Sequence, residues 1–347
     1  MLDMKNALEH LSAQTAPSGF EGPAARAAAE LLRPLMDEVS IDRSGSVIGV
    51  RRCGKPNAKR LLLDAHIDEI GLMVTGIEEG FLRFRTLGGV DPRMLPDREL
   101  TILTQPPIFG VVACLPPHVL KPGDSKKSIP IPELMVDIGM SQEQAEQAVP
   151  IGTPMVFRGG CTPLGDKLMC GKAMDDRSCF VTLLRAAELL GEAPLDVDLY
   201  IVGSVCEEFT AVGAKTAVFA IRPDWCVAVD VTHGATPDGQ KDRTFPLGGG
   251  PVIGVGPNMT TWMTKRMIAK AEEQKLEYQL EVMAGHTGTN GWHMQISREG
   301  IATSVVSVPL RYMHSPIEVL DPENMEHTAQ LLAAFARDLG KEAETPC

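Results

Sequence analysis

Two adjacent aspartates, Asp175 and Asp176, are difficult to explain by packing alone. Neighbouring carboxylates repel each other unless cations lie beside them. Residues 178–190 follow with apolar side chains at helical spacing, so the pair is predicted at or just before a helix N-terminus, where anions and metal ligands are favoured. Taken alone, the pair is equally well explained as an N-cap and a first-turn carboxylate. The choice between these explanations depends on residues elsewhere in the chain.

Four apolar, β-branched segments each lead into a histidine or an acid. The segments are residues 60–65, 198–205, 225–229 and 302–310, and they lead into His66 with Asp68, Glu207 with Glu208, Asp230, and His314 respectively. In an open α/β sheet, ligands bind at the carboxyl ends of the strands. A single histidine or acid pair is usually a core or solvated residue, but the repeated placement would require several independent coincidences. We therefore expect these side chains to converge with Asp175 on one site.

This set of histidines and carboxylates describes a site for two divalent ions. Nitrogen and oxygen donors suit zinc or cobalt better than calcium. Two ions about 3.5–4 Å apart need a carboxylate that contacts both, and Asp175 is the candidate. Adjacent residues of an extended segment point in opposite directions, so one acid of the Glu207 and Glu208 pair would coordinate while the other takes a proton from the activated water. Asp68 is placed to accept the imidazole N–H of His66 and fix its tautomer.

The rest of the chain must supply the elements that position these residues. Its 347 residues, 44% of them hydrophobic, are sufficient for two domains with large cores. Helical patterns alternate with buried strands over residues 180–340, which indicates a layered α/β domain. Residues 72–161 are instead rich in proline and glycine, with short alternating strands. We predict a β-rich domain at 72–161 inserted into a catalytic domain made of 1–71 and 162–347. Within the insertion, residues 116–132 are predicted to form a mobile surface loop.

Composition excludes several classes of function. A formal net charge of −12 at pH 7 disfavours binding to nucleic acid or to an anionic membrane surface. No apolar run approaches the roughly 18 residues of a membrane span, and the N-terminus has no signal-peptide pattern. The eight cysteines include no CxxC pair and are predicted to be reduced core thiols. We therefore expect a cytoplasmic enzyme that acts on small substrates.

Motifs spread over essentially the whole chain resemble those of a family of dinuclear metallopeptidases. This family includes the tetrahedral, glutamyl and deblocking aminopeptidases, and proteins labelled endoglucanase M or FrvX-like. The motifs are Ser18-Gly19-Phe20-Glu21, His66-x-Asp68, Gly171-x-Ala173-x-Asp175-Asp176-Arg177, Glu207-Glu208, Asp230-Val231-Thr232, and Arg311-Tyr312-x-His314-Ser315 with Glu318. The resemblance implies a three-layer α/β/α metallopeptidase domain with an inserted small β-rich domain.

The resemblance also implies a role for each matching residue. Asp175 would bridge two divalent ions, and Glu207 would be the general base. The remaining ligands would be His66, Asp230, Glu208 and His314, with His66 and Asp230 on different ions. The inserted domain would mediate oligomerisation, with dimers assembling into a tetrahedral dodecamer whose chambers admit only peptides.

One motif departs from the pattern of this family. Asn290 stands where the family commonly carries aspartate, so a negative charge near the expected substrate region is absent. The segments of Lys265, Arg266, His286 and Asn290 are candidates to line the substrate side-chain pocket. The Lys265 and Arg266 pair would then select acidic N-terminal residues, although a solvated helix face is the interpretation that we favour.

The principal hypothesis is therefore an aminopeptidase that releases N-terminal residues from short peptides with a two-metal-activated water. A related metal-dependent deacylase or a glycosidase is the second hypothesis, but a glycosidase needs only two carboxylates, and the paired histidines disfavour it. The third is a non-catalytic, metal-stabilised shell or binding protein. The presence of Glu207 disfavours it, because a structural metal site needs no free acid beside its ligands.

Overall fold

The computed structural model describes residues 2–119 and 128–340 of the chain. The α-helices of these residues are α1 (Met4–Ser12), α2 (Gly22–Leu32), α3 (Gln142–Ala148), α4 (Met174–Leu190), α5 (Val212–Ile221), α6 (Thr261–Glu273), α7 (Gly291–Met294) and α8 (Pro322–Asp338). The strands are β1 (Glu38–Ile41), β2 (Val47–Arg51), β3 (Lys59–His66), β4 (Gly71–Glu78), β5 (Phe81–Leu87), β6 (Glu99–Ile102), β7 (Ile108–Ala113), β8 (Met135–Asp137), β9 (Pro154–Phe157), β10 (Thr162–Leu164), β11 (Leu168–Gly171), β12 (Val197–Ser204), β13 (Trp225–His233), β14 (Val252–Val255), β15 (Gln279–Val282), β16 (Ala302–Arg311) and β17 (Glu318–Leu320).

An eleven-stranded mixed sheet forms the centre of the larger part of the molecule. Its strand order is β1-β2-β12-β3-β13-β16-β17-β11-β10, and β14 pairs with β16 and with the edge strand β15. The central strands β12, β3, β13 and β16 are parallel to one another. Their carboxyl ends therefore lie at one edge of the sheet, where the predicted site residues follow.

Both faces of this sheet are covered by helices. Leu61 and Leu63 of β3 belong to a core that includes Phe180 of α4. Leu62, which points to the opposite face, belongs to a second core with Ala214 of α5. Strands buried on both faces are continuously apolar, which is why these segments show no alternation in the sequence. The predicted three-layer α/β/α arrangement is confirmed.

A small closed barrel forms the second part of the molecule. Its strands follow the order β4-β5-β8-β7-β6-β9 and enclose a separate hydrophobic core that includes Leu72, Phe84 and Leu100. In the chain, the barrel lies between β3 and β10, so it is an insertion into the large sheet, as predicted. The boundaries drawn at 72–161 stay a prediction. Residues 120–127 of the predicted mobile loop lie outside the described residues.

The structure bears on two expectations that were drawn from the composition, one about membrane-spanning segments and one about the cysteines. None of the helices in the two described ranges is long and apolar enough to cross a bilayer. The seven described cysteines are free thiols, but only Cys179 and Cys226 are fully buried. The expectation that the cysteines are core residues is therefore correct for two of those seven, because the others lie in loops or at strand ends that solvent partly reaches.

Candidate metal centre

The predicted site residues meet at the carboxyl edge of the large sheet. His66 ends β3, Asp230 lies near the end of β13, and the loop after β12 carries Glu207 and Glu208. His314 follows β16. Asp175 reaches the same place from the start of α4, where its backbone is extended before the regular helix begins. The parallel strands thus bring together residues that are up to about 250 positions apart in sequence.

The side chains form two overlapping groups of possible metal ligands. His66, Asp175 and Asp230 offer atoms that all lie within 4.8 Å of one another, and so do Asp175, Glu208 and His314. Asp175 belongs to both groups. Its Oδ1 lies 3.1 Å from His66 Nε2, while its Oδ2 lies 3.4 Å from His314 Nε2. The two oxygens of Asp175 therefore face different groups, as a bridging carboxylate requires.

One detail of the predicted ligand arrangement is wrong. His66 and Asp230 were expected on different ions, but the structure places both in the same group. The reason is the strand order, because β3 and β13 are neighbours in the sheet and deliver their terminal residues side by side. The second group instead combines Glu208 and His314, whose Oε2 and Nε2 atoms are 3.3 Å apart.

The donor set fits divalent cations. Asp175, Asp230 and Glu208 are buried together, and within the described ranges no lysine or arginine forms an ion pair with any of them. Burial and, next, the charge of Asp175 hold the pKa of Glu208 well above its usual range. Burial likewise raises the pKa of Asp230. Concentrated carboxylates of this kind need a counter-ion, and imidazole and carboxylate donors suit zinc or cobalt.

Asp176 and Glu318 fix the position of Asp175 without belonging to either ligand group. Glu318 of β17 accepts hydrogen bonds from the backbone N–H of Met174 and of Asp175, at 2.7 and 3.1 Å. Asp176 Oδ2 accepts a hydrogen bond from the backbone N–H of His66 at 3.1 Å. The second aspartate of the pair therefore joins the start of α4 to the end of β3, and it is not the N-cap that the alternative explanation required.

Asp68 organises the acids of the loop after β12. Its Oδ1 accepts the backbone N–H of Glu207 at 3.0 Å, and its Oδ2 accepts the backbone N–H of Glu208 at 3.2 Å. Oδ1 also lies 3.2 Å from His66 Nδ1, on the side of the ring away from Asp175. The hydroxyl of Ser18 donates to Asp68 Oδ2 at 2.6 Å. Asp68 thus holds both the imidazole and the two glutamates in place.

Glu207 lies beside the two ligand groups but in neither. Its Oε2 is 3.9 Å from His66 Nε2. Burial raises the pKa of Glu207 to about 7, and the charge of His66 opposes this rise. A carboxyl group with a pKa near neutral can both accept and return a proton at physiological pH.

The centre opens into a cavity of about 350 Å³. Its lining consists of His66, Asp175, Glu207, Asp230, Val231, Thr232, His233, Glu281, Met283, Thr287, Gly288, Thr289, Ser307, Met313 and His314. This size is at the lower end of ligand sites, which range from roughly 300 to 1,000 Å³. The cavity therefore suits a small group such as a single terminal residue.

Of the segments considered for the side-chain pocket, the one between His286 and Asn290 lines this cavity through residues 287–289, but the four named residues themselves do not. Lys265 is exposed on α6, which agrees with a solvated helix face. Arg266 does not, because its side chain is largely buried and pairs with Asp338 of α8 at 3.5 Å. His286 contacts the ring of Trp292, with ring centroids 4.4 Å apart. Asn290 is buried beneath the site. Its Nδ2 donates to Asp64 Oδ2 at 2.7 Å and to Ser204 Oγ at 2.9 Å.

A loop of the barrel closes one side of the centre. A Cβ added at Gly88 would lie 3.1 Å from Glu208 Oε2, and one at Gly89 would lie 2.7 Å from His314 Nδ1. Only glycine allows the backbone to approach these two side chains so closely. The barrel therefore contacts the second ligand group directly.

The fold and this centre define a metallopeptidase, and comparison with known proteins gives its family. The model of the M42 glutamyl aminopeptidase family matches residues 45–331, so the chain belongs to that family. A lysyl aminopeptidase of Pyrococcus furiosus is 37% identical over 322 residues, which cover 91% of this chain and 92% of that protein.

Solved structures agree in fold and family. An aminopeptidase of the archaeon Desulfurococcus kamchatkensis superposes with a TM-score of 0.89 at 33% identity, covering 96% of this chain and 94% of the other. The TET1 peptidase of Pyrococcus horikoshii, which can assemble into a tetrahedron or a large octahedral shell, gives 0.84 at 29% identity and covers 97% and 100%. The predicted family and the metal-dependent aminopeptidase activity are confirmed.

Proposed function

We propose that the protein removes N-terminal residues from short peptides at a centre that holds two divalent ions. The observation that carries this proposal is that the two oxygens of Asp175 face separate groups of ligands. His66 and Asp230 would hold one ion, and Glu208 and His314 the other. When bound, the ions would polarise the scissile carbonyl and make water a nucleophile at neutral pH.

Glu207 would be the general base of the reaction. It lies 3.9 Å from His66 Nε2 and belongs to neither ligand group, so its carboxylate is free to exchange a proton with the attacking water. Glu207 would take a proton from the attacking water and return it to the leaving amine. Asp68 would keep His66 oriented and hold the backbone N–H of Glu207, so it acts as a positioning residue.

A Glu207→Gln substitution tests the assignment of the base. Glutamine keeps the size of the side chain but accepts no proton, so we expect kcat for an aminoacyl p-nitroanilide to fall by about 10²- to 10⁴-fold. Glu299→Gln, at an exposed position, is the matched control. Equal turnover in the two variants would contradict the assignment of Glu207.

Metal titration tests the ion count separately from turnover. Protein treated with chelator is titrated calorimetrically with zinc or cobalt, the two ions that the donor set favours. We expect two ions per chain, and weaker binding of both ions after Asp175→Asn, since Asp175 belongs to both ligand groups. A stoichiometry of one in the unaltered protein would contradict the shared role of Asp175.

The barrel is proposed to mediate assembly, with residues 72–161 as the oligomerisation domain of a tetrahedral dodecamer built from dimers. Large apolar side chains exposed on its surface support this proposal, because assembly would remove them from water. They are Phe109, Leu115, Val119 and Ile151, which are 50–63% exposed. Light scattering should give twelve times the 37.4 kDa of the chain. A monomer that keeps full activity would contradict an essential assembly.

We propose that the enzyme works in the cytoplasm. The free thiols among the described cysteines support a reducing compartment. Fractionation of the source cells should place the aminopeptidase activity in the cytosolic fraction, and activity confined to the culture medium would contradict this location.

A further inference from the structure

The edge strand β15 has its polar and apolar residues on unexpected sides. A strand at the rim of a sheet normally turns its apolar side chains inward and its polar ones to solvent. In β15, Leu280 and Val282 are instead 47% and 78% exposed, while Glu281 between them lines the cavity of the metal centre. Shifting the register by one residue would exchange the faces, so the observed register specifically directs an acid into the cavity.

One oxygen of the Glu281 carboxylate is free to bind a cation. Its Oε2 is buried and has no hydrogen-bond partner among the described residues. Within the same residues, no lysine or arginine forms an ion pair with it, and the basic side chain whose charge acts on it is the exposed His233. Burial raises the pKa of Glu281, and Thr232 and His233 oppose this rise. A buried carboxylate oxygen without a partner is costly, and a bound cation would offset that cost.

The apolar part of the cavity lining suits a long aliphatic chain. Met283 and Val231 are buried there, and Met313 completes the apolar wall. Lysine and arginine side chains consist of an apolar stem with a charged end. A terminal lysine could therefore place its stem against the methionines and its ammonium group at the acid.

We infer that Glu281 is a specificity-determining residue that selects peptides whose N-terminal residue has a long cationic side chain, lysine or arginine. This inference rests on the proposed function, because it places the terminal residue of the substrate in the cavity beside the metal centre. Glu281 does not touch the scissile bond in this arrangement. It contributes to the binding of the terminal side chain, and to discrimination against uncharged residues.

If Glu281 had a different role, its substitution would lower kcat/KM for a different set of substrates. If the carboxylate bound the α-ammonium group that every peptide substrate carries, removal of the carboxylate would lower kcat/KM equally for all substrates. If it binds the side chain, only cationic substrates are affected. Lysine and norleucine have the same four-carbon chain and differ in the terminal ammonium group, so the pair separates these two roles.

The test compares kcat/KM for lysyl and norleucyl p-nitroanilides in the metal-loaded enzyme and in its Glu281→Gln variant. We expect the lysyl substrate to lose about 10- to 100-fold while the norleucyl substrate changes little. Glu277→Gln, at an exposed position just before the same strand, is the matched control and should change neither. A uniform loss for both substrates, or no loss for the lysyl substrate, would overturn the inference.

A binding measurement keeps the inference separate from the proposed activity. The Kd of free L-lysine and of L-norleucine is measured by calorimetry on the metal-loaded protein and on Glu281→Gln. We expect L-lysine to bind more tightly than L-norleucine, and the substitution to remove this preference. A lysine preference without turnover would count against the proposed function alone. Turnover with equal binding of the two amino acids would overturn the assignment of Glu281 alone.

Discussion

At position 290 the buried carboxylate of Asp64 meets an amide instead of a second acid. Burial raises the pKa of Asp64 to about 6, and the hydrogen bond from Asn290 opposes this rise. An ionised aspartate at position 290 would have no proton to donate. The amide of Asn290 can instead donate to both Asp64 Oδ2 and Ser204 Oγ. The amide of Asn290 is therefore matched to its buried acidic neighbour.

Replacing Asn290 with aspartate should destabilise the protein. The substitution places two carboxylates in contact inside the core, at a cost of at least about 2 kcal/mol in the free energy of unfolding. Urea denaturation measures this cost, with the exposed Asn57→Asp as the control. The double variant Asp64→Asn with Asn290→Asp restores a donor and an acceptor and should recover part of the loss. Additive losses in the double variant would contradict a direct interaction between the two residues.

At the residue scale, the sequence alone is sufficient to identify candidate metal ligands that lie just after buried strands. It assigns His66, Asp175 and His314 to one centre. The contacts that support them were not predictable, because they join residues far apart in the chain. Ser18 was one such case. Its spacing to Glu21 is typical of a capping box, but its hydroxyl donates to Asp68 instead.

Among the elements, a buried ionic network holds the start of the chain against β3 and α4. Glu69 accepts from Lys172 Nζ at 2.6 Å and from Arg177 Nη2 at 3.2 Å. The fully buried guanidinium of Arg177 also donates to the backbone carbonyls of Leu11 and Ile67. Burial raises the pKa of Glu69, but the charges of Lys172 and Arg177 outweigh it and leave that pKa lowered.

Glu69→Gln should cost about 3–5 kcal/mol of unfolding free energy, because it leaves two buried cations without their counter-ion. The folded-state pKa of Glu69 is lowered, so its contribution is complete above its ordinary value of 4.5 and is lost as the pH falls through the folded value. The difference between the two proteins should therefore shrink below about pH 4.5. Urea titrations at several pH values measure it, with the exposed Glu192→Gln as control. A difference that grows on acidification would refute this account.

Long elements were easier to predict from the sequence than short ones. The buried parallel strands and the helices α4, α6 and α8 have strong apolar patterns over many residues. The strands β10, β14 and β17, of three or four residues, carry too few positions for a pattern and were not predicted. The strand order was also not predictable, and it alone decides that His66 and Asp230 belong to the same ligand group.

For the molecule as a whole, the contact between barrel and metal centre makes a specific prediction. Gly89→Ala would place a methyl group 2.7 Å from His314 Nδ1, so the imidazole must shift from its present position beside Asp175 and Glu208. We expect weaker metal binding by Glu208 and His314 and a lower kcat, with little change in the free energy of unfolding, because neither Gly89 nor His314 is buried. Gly160→Ala, where a Cβ would meet no atom within 4 Å, is the control. Unchanged metal affinity in Gly89→Ala would show that this approach has no effect on the centre.

Gly88 and Gly89 also limit how far the chain could be shortened by deleting the barrel. Splicing the chain from Ile70, just before β4, to β10 would keep every metal-ligating side chain together with Asp68 and Glu69, since all of them lie in the larger part. It would nevertheless leave His314 and Glu208 facing bulk solvent on the flank that Gly88 and Gly89 now cover. A shortened enzyme would therefore have to retain the Gly88–Gly89 segment. The barrel thus forms one wall of the metal centre, just as the large sheet supplies the ligands.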